Sequence, residues 1–155
     1  MKKFQQTSLT DDGSGTPGDC MRSAWGSVLE VPPCELPKWS LKMPWKTYWR
    51  NWKIFLRLKG FEIKRSQKIP PKWKADQEYF IAVGPSPRTD LAKHCVVWSR
   101  EGFEWDPYPK ANGLDGDPDF FEWLASSKPN FDRLPKWEWG EFTNGKRRVP
   151  PINIS

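Results

Sequence analysis

Apolar and polar positions alternate with a helical period in the first half of the chain and with a strand period in the second. Cys20, Ala24, Trp25, Val28 and Leu29 recur at helical spacing behind Asp19, a residue type suited to an N-cap. A helix is therefore predicted from Cys20 until just before Pro32-Pro33. The polar stretch from Thr7 to Asp19 has no period and reads as a loop that delivers the chain to Cys20. Trp45, Trp49, Trp52 and Leu56 lie at i, i+4, i+7 and i+11 and predict a second helix with one apolar stripe, ended by Gly60 as a C-cap. Lys46, Arg50, Lys53 and Arg57 keep the same spacing one position on, so a basic ridge runs beside the tryptophans.

Beyond Gly60 the period shortens to two. Phe61-Glu62-Ile63 begins a short strand, and Tyr79-Phe80-Ile81-Ala82-Val83 reads as a buried strand ended by Gly84-Pro85-Ser86-Pro87. His94-Cys95-Val96-Val97-Trp98 and Phe103-Glu104-Trp105-Asp106 flank a hairpin connection. Pro118 is placed as the start of a further helix whose apolar side is Phe120, Phe121 and Leu124. Trp137 to Phe142 adds an edge strand. The expected architecture is α+β: one domain over residues 1–145, with two helices packed on an antiparallel sheet, and a basic, proline-containing tail over 146–155.

A chain of 155 residues is long enough to bury a core, and eleven Trp with nine Phe make that core aromatic-heavy. Sixteen Pro and eleven Gly favour many turns and short elements over a helical bundle. No apolar run approaches membrane-spanning length, and Met1-Lys2-Lys3 has no apolar stretch behind it, so neither a membrane anchor nor a signal peptide is expected and the default compartment is the cytoplasm. Three cysteines, Cys20, Cys34 and Cys95, give no even disulfide framework and no metal-type pairing, so free thiols, no metal and no cofactor are expected. A net charge of +6 favours an anionic partner without specifying one.

The candidate chemistry centres on the single histidine. A helix N-terminus stabilises a thiolate through its unpaired N–H groups, which makes Cys20 a candidate nucleophile; the bland alternative is a small buried apolar side chain. With Arg100-Glu101-Gly102 as the hairpin loop and Gly102 left-handed, Ser99 faces Phe103 and Val96 faces Asp106. His94 is then diagonal to Asp106 on the same face, close enough for the carboxylate to hold Nδ1–H and leave Nε2 toward the sulfur. A two-residue turn at Glu101-Gly102 would put the pair on opposite faces. The alternatives are a core histidine bonded to a carbonyl and an Asx-turn at Asp106-Pro107. Cys95 is expected on the opposite face, in the core, and Cys34 has no basic partner in view. Gln6 is a candidate second oxyanion donor. Ser86 and Arg88, on the loop entering the histidine strand, and Asp19 and Trp105, which flank the candidate cysteine and acid, are candidates for substrate contact. The tryptophan and cation alternation of the second helix suits nucleic acid as well as a buried stripe with solvated flanks; core spacing favours the second, and nucleic acid is not expected as a partner.

Gly18-Asp19-Cys20, followed by Ala24, Ser27, Val28, Leu29 and then Pro37, resembles the nucleophile helix of papain-like, peptidase C39-like proteins. Gly84-Pro85-Ser86-Pro87-Arg88, His94-Cys95-Val96-Val97, Asp106-Pro107-Tyr108-Pro109 and Gly113-Leu114 together resemble a group of small, mostly uncharacterised bacterial and bacteriophage proteins. In that group a GPSPRG-like loop precedes HAVV and a DPHPS-like segment follows. The resemblance implies a papain-like fold in which Cys20 is nucleophile, His94 general base and acid, Asp106 orienter and Gln6 oxyanion donor. Tyr108 and Cys95 depart from the group's His and Ala. The implied function is a cysteine-dependent peptidase, amidase or isopeptidase acting on a protein or peptide. A phage origin would place it in a bacterial host's cytoplasm, against a host or defence protein. The alternative is a catalytically silent papain-like binding or inhibitor protein that sequesters an anionic ligand, a nucleotide or a host protein through Lys46, Arg50, Lys53 and Arg57.

Overall fold

The computed structural model describes residues 1–7, 19–37, 44–110 and 113–127. The expected edge strand over Trp137 to Phe142 and the tail over 146–155 lie outside them. The elements in chain order are α1 (Cys20–Leu29), a single 3-10 turn (Pro33–Glu35), α2 (Trp45–Leu58), β1 (Phe61–Ser66), β2 (Phe80–Ser86), β3 (Thr89–Trp98), β4 (Phe103–Trp105) and β5 (Phe120–Ser126). The class is α+β, with a five-stranded sheet in the order β1-β5-β2-β3-β4. The chain forms two compact units, Met1–Leu41 with Lys64–Trp123, and Lys42–Ile63 with Leu124–Ser155.

In the first unit β2 is central and runs antiparallel to both β3 and β5. Strand alternation sorts its neighbours cleanly. Phe80, Ala82, Val96, Phe121 and Trp123 join Ala75 in one buried cluster, and Trp98 meets Phe121 edge to face at 6.0 Å. Helix α1 lies along β3. Residues Met21 to Ser27 are all buried, a helix covered all round rather than an amphipathic one. The N-terminal segment supplies one of those covers. Phe4 N–H donates to Ser27 Oγ at 2.9 Å, and that hydroxyl donates to the Ser23 carbonyl at 2.9 Å. Behind the helix the chain doubles back tightly, since a Cβ on Gly26 would meet the Val31 carbonyl at 2.7 Å.

In the second unit, the C-terminal part of the α2 stripe is buried: Trp52 and Leu56 are fully enclosed, Trp49 is half-buried, and Phe55 packs edge to face on Trp52 at 5.8 Å. Lys46, Arg50, Lys53 and Arg57 are exposed, as the ridge requires. Gly60, at φ +82°, ends the helix in a backbone conformation that other residues rarely adopt.

Three sequence expectations change. The helix expected at Pro118 is strand β5, hydrogen-bonded between β1 and β2. Its Glu122, which reads as a solvated helix position, is fully buried and bonded by Arg65 Nε at 3.1 Å and Nη2 at 2.5 Å. Strand β2 runs on through Gly84-Pro85 to Ser86, and β3 begins at Thr89 rather than His94. The β3–β4 turn contains two residues, Arg100 and Glu101, because Ser99 N–H donates to the Gly102 carbonyl at 2.8 Å and Gly102 N–H to the Ser99 carbonyl at 3.4 Å.

The Arg65–Glu122 pair carries a first prediction. Glu122 is enclosed whereas the Arg65 side chain is half exposed, so Arg65→Ala removes two charged hydrogen bonds from a buried carboxylate. Urea unfolding is expected to show a loss of about 3 kcal/mol. Glu122→Gln, which leaves no buried charge, is expected to lose less.

Candidate functional site

Cys20 occupies the first position of α1. Asp19 precedes it at the N-cap position, and its carbonyl accepts Ser23 N–H at 2.9 Å. Its carboxylate makes no cap hydrogen bond. It accepts instead from Thr7 N–H at 3.0 Å, Thr7 Oγ1 at 3.1 Å and Arg22 Nη2 at 2.9 Å. At 6 % exposure Asp19 anchors the chain on either side of the site, and these bonds replace the expected side-chain cap.

His94 sits on β3 opposite Gly84 of β2 and is fully buried. Its partner is Asp106: Nε2 lies 2.7 Å from Oδ1. The pairing arises by a different route from the expected loop. Phe103 faces Trp98, Glu104 is an extra residue in β4, and Trp105 then faces Val97. One step further along the ladder, Val96 faces Asp106. The bulge offsets the shorter turn, so the register at the acid is the expected one. The nitrogen roles are reversed, however. Asp106 holds Nε2 rather than Nδ1, and Nδ1 is buried without a hydrogen bond among the described residues.

Asp106 is itself over-determined. Oδ1 also accepts Tyr108 N–H at 2.7 Å, and Oδ2 accepts Gly113 N–H at 3.1 Å. The first is the Asx-turn that Asp106-Pro107 suggests, and it coexists with the histidine bond rather than replacing it. Gly113 adopts φ +109°, which suits glycine at the point where the loop turns back onto the carboxylate. Leu114 then lies over Gly84, where a Cβ would meet its Cδ1 at 2.8 Å.

Cys20 lies beside both members of the β3 dipeptide His94-Cys95. Its thiol is held well below the ordinary thiol range. The largest cause is the neighbouring Cys95, 4.3 Å away; burial opposes it, and the nearby His94 imidazole adds to it. The same contact and burial push the Cys95 thiol up. For His94, burial lowers the imidazole pKa, but Asp106 and Cys20 together outweigh it and hold it at about 9. Both shifts run toward a thiolate at Cys20 and an imidazolium at His94. Cys95, expected in the core on the opposite strand face, is buried, and it lies 4.3 Å from Cys20. Only its position next to His94 hinted at this, since the sequence does not say which strand face the helix covers.

Gln6 is 5 % exposed and fixed on both sides of the site. Its N–H donates to the Pro107 carbonyl at 2.9 Å, and its neighbour Thr7 is bonded to Asp19. Ser86 is buried and accepts Arg88 N–H at 3.3 Å. The Arg88 guanidinium stacks over the Tyr108 ring at 4.4 Å, joining the loop after β2 to the segment after Asp106. Trp105 lines an open cavity of about 220 Å³ with Gln5, Phe103, Asp106 and Tyr108, and Lys3 Nζ lies 5.1 Å from its ring centre. Cys34 is exposed and stands apart on the 3-10 turn. Among the described residues no helix is long and apolar enough to cross a membrane, and no cluster of three metal-type side chains occurs. Compared with known proteins, the chain matches no family model, no curated protein and no solved structure.

Proposed function

We propose that the chain is a papain-like cysteine-dependent hydrolase that cleaves an amide, isopeptide or thioester bond through an acyl-enzyme. The observation that carries this is the buried imidazole: bonded by Asp106 on Nε2, unbonded on Nδ1, and carried on the strand along which the helix begun by Cys20 lies. Cys20 as thiolate attacks the substrate carbonyl carbon, and the C=O electron pair moves onto oxygen. The Cys20 backbone N–H, which has no acceptor within its helix, and the Gln6 side-chain amide hold that oxyanion. His94 Nδ1–H protonates the leaving group as the bond to carbon breaks, leaving a thioester on Cys20. His94 then takes a proton from water, the hydroxide oxygen attacks the thioester, and Cys20 leaves as thiolate. Asp106 keeps the ring oriented throughout and stabilises its charged form at the start and end of the cycle. The cavity beside Trp105 has room for one large side chain and is the substrate contact surface in this scheme.

The test is trapping of the intermediate. A panel of activated thioester and p-nitrophenyl ester probes is incubated with the chain, quenched in acid and mapped by mass spectrometry. An acyl adduct on Cys20 is expected, with none on Cys34 or Cys95. Turnover is expected to fall as pH rises through about 9, because His94 loses the proton the leaving group needs. Acylation spread over all three cysteines would count against the scheme.

The exposed ridge of Lys46, Arg50, Lys53 and Arg57 favours a second reading, a non-enzymatic protein that sequesters an anionic ligand or protein. Reversing the charge at Arg50 and Arg57 would then abolish function in cells, while Cys20→Ala would leave it intact.

A further inference from the structure

Cys95 has no part in the hydrolytic scheme, yet it is the described side chain that acts most strongly on Cys20. The two thiols lie 4.3 Å apart, and a disulfide needs about 2.05 Å between sulfurs, a gap that side-chain rotation and a small shift can close. Their environments are complementary. Cys20 is partly exposed, and Cys95 is buried directly behind it. An oxidant arriving from solvent therefore meets Cys20 first and finds a second thiol behind the product. Cys34 is also free and more exposed, but it stands on a separate turn, so exposure alone would direct oxidation there.

We infer that Cys20 and Cys95 form an oxidative modification site, converted by peroxide into a reversible intramolecular disulfide. In the first step the Cys20 thiolate attacks one peroxide oxygen. The O–O bond breaks, Cys20 becomes a sulfenic acid, and hydroxide leaves and takes a proton from solvent. In the second, Cys95 sulfur attacks the sulfenic sulfur. The S–S bond forms, the S–O bond breaks, and the hydroxyl departs as water with the Cys95 proton. Overall two thiols and one hydrogen peroxide give one disulfide and two waters. Thiol reductants reverse it, as befits a transient bond in a reducing compartment. The regulatory consequence rests on the hydrolase proposal: the disulfide withdraws the nucleophile, silencing turnover and shielding Cys20 from irreversible over-oxidation. Disulfide formation itself does not depend on that proposal.

The test treats the full chain with hydrogen peroxide, blocks remaining thiols with N-ethylmaleimide and maps peptides without reduction. The expected result is a Cys20–Cys95 linked peptide, both thiols leaving the alkylatable pool together, Cys34 still alkylated, and full recovery after dithiothreitol. In a Cys95→Ser chain, Cys20 is expected to proceed to sulfinic acid that dithiothreitol does not rescue. A wild-type map in which Cys95 remains a free thiol, whatever happens to Cys20, overturns the inference. A linked peptide from a chain that forms no acyl adduct would keep the modification site and sink only the hydrolase.

Discussion

A His94→Gln chain is expected to lose at least about tenfold in the rate at which Cys20 is alkylated near neutral pH, and about a hundredfold or more in any hydrolytic turnover. The two losses have different origins. Alkylation needs only the thiolate, so it reports the charge that His94 places beside the sulfur. Turnover also needs a proton delivered to the leaving group, which glutamine cannot supply. The amide can still donate to Asp106 in place of Nε2–H, so the buried carboxylate keeps a partner and the fold is expected to survive. Cys34, which lies apart from His94, supplies an internal reference whose alkylation rate should not change. Parallel slowing of both thiols would point to altered access or folding instead.

Asp106→Ala is expected to be the most destabilising single change in the site, by about 3–5 kcal/mol. It removes the acceptor of three hydrogen bonds at once, those from His94, Tyr108 and Gly113, at a side chain that is itself 4 % exposed. Asp106→Asn keeps an oxygen for two of them and turns an N–H₂ group toward Gly113, so about 1–2 kcal/mol is expected. Chemical denaturation of the two variants separates these outcomes, and equal small losses would mean that the loop does not depend on the carboxylate. Stability against pH should be less revealing, because two pKa shifts act in opposite directions. His94 has its pKa raised from 6.5 to about 9, so its contribution is complete below 6.5 and fades as pH rises through 9. Cys20 is lowered, so its contribution is complete above the ordinary thiol value and fades as pH falls through the depressed one. The two slopes oppose each other across neutral pH, and a nearly flat stability profile is expected there.

Much of the site was legible because it depends on short-range geometry. A cysteine after an N-cap-type residue, a strand histidine and an acid beyond a hairpin are local patterns, and alternation alone puts His94 and Asp106 on one face. The hairpin shows how two unforeseen features can cancel. The tighter turn at Arg100-Glu101 would have flipped the acid away, and the bulge at Glu104 brings it back. Neither is encoded by a rule that distinguishes it from the simpler loop. The order of the imidazole nitrogens is not legible in the sequence, because it depends on the rotation of a ring, which spacing does not constrain. Strand β5 was misread for a long-range reason. Phe120, Phe121 and Leu124 behind a proline fit a helix, and a glutamate among them looks solvated. What makes Glu122 tolerable in the middle of a sheet is Arg65, 57 residues earlier, and no window on the sequence contains both. The closeness of Cys95 to Cys20 is of the same kind, set by how α1 lies on β3.

Competitive labelling of the native chain with limiting iodoacetamide, run from acid to alkaline pH with each cysteine quantified separately, decides whether position 20 owns an ionised sulfur under imidazole control. Cys20 should reach its plateau well before Cys34 does, and glutamine at position 94 should shorten that lead. Superimposable titration curves for the two sulfurs, indifferent to what stands at 94, would contradict it.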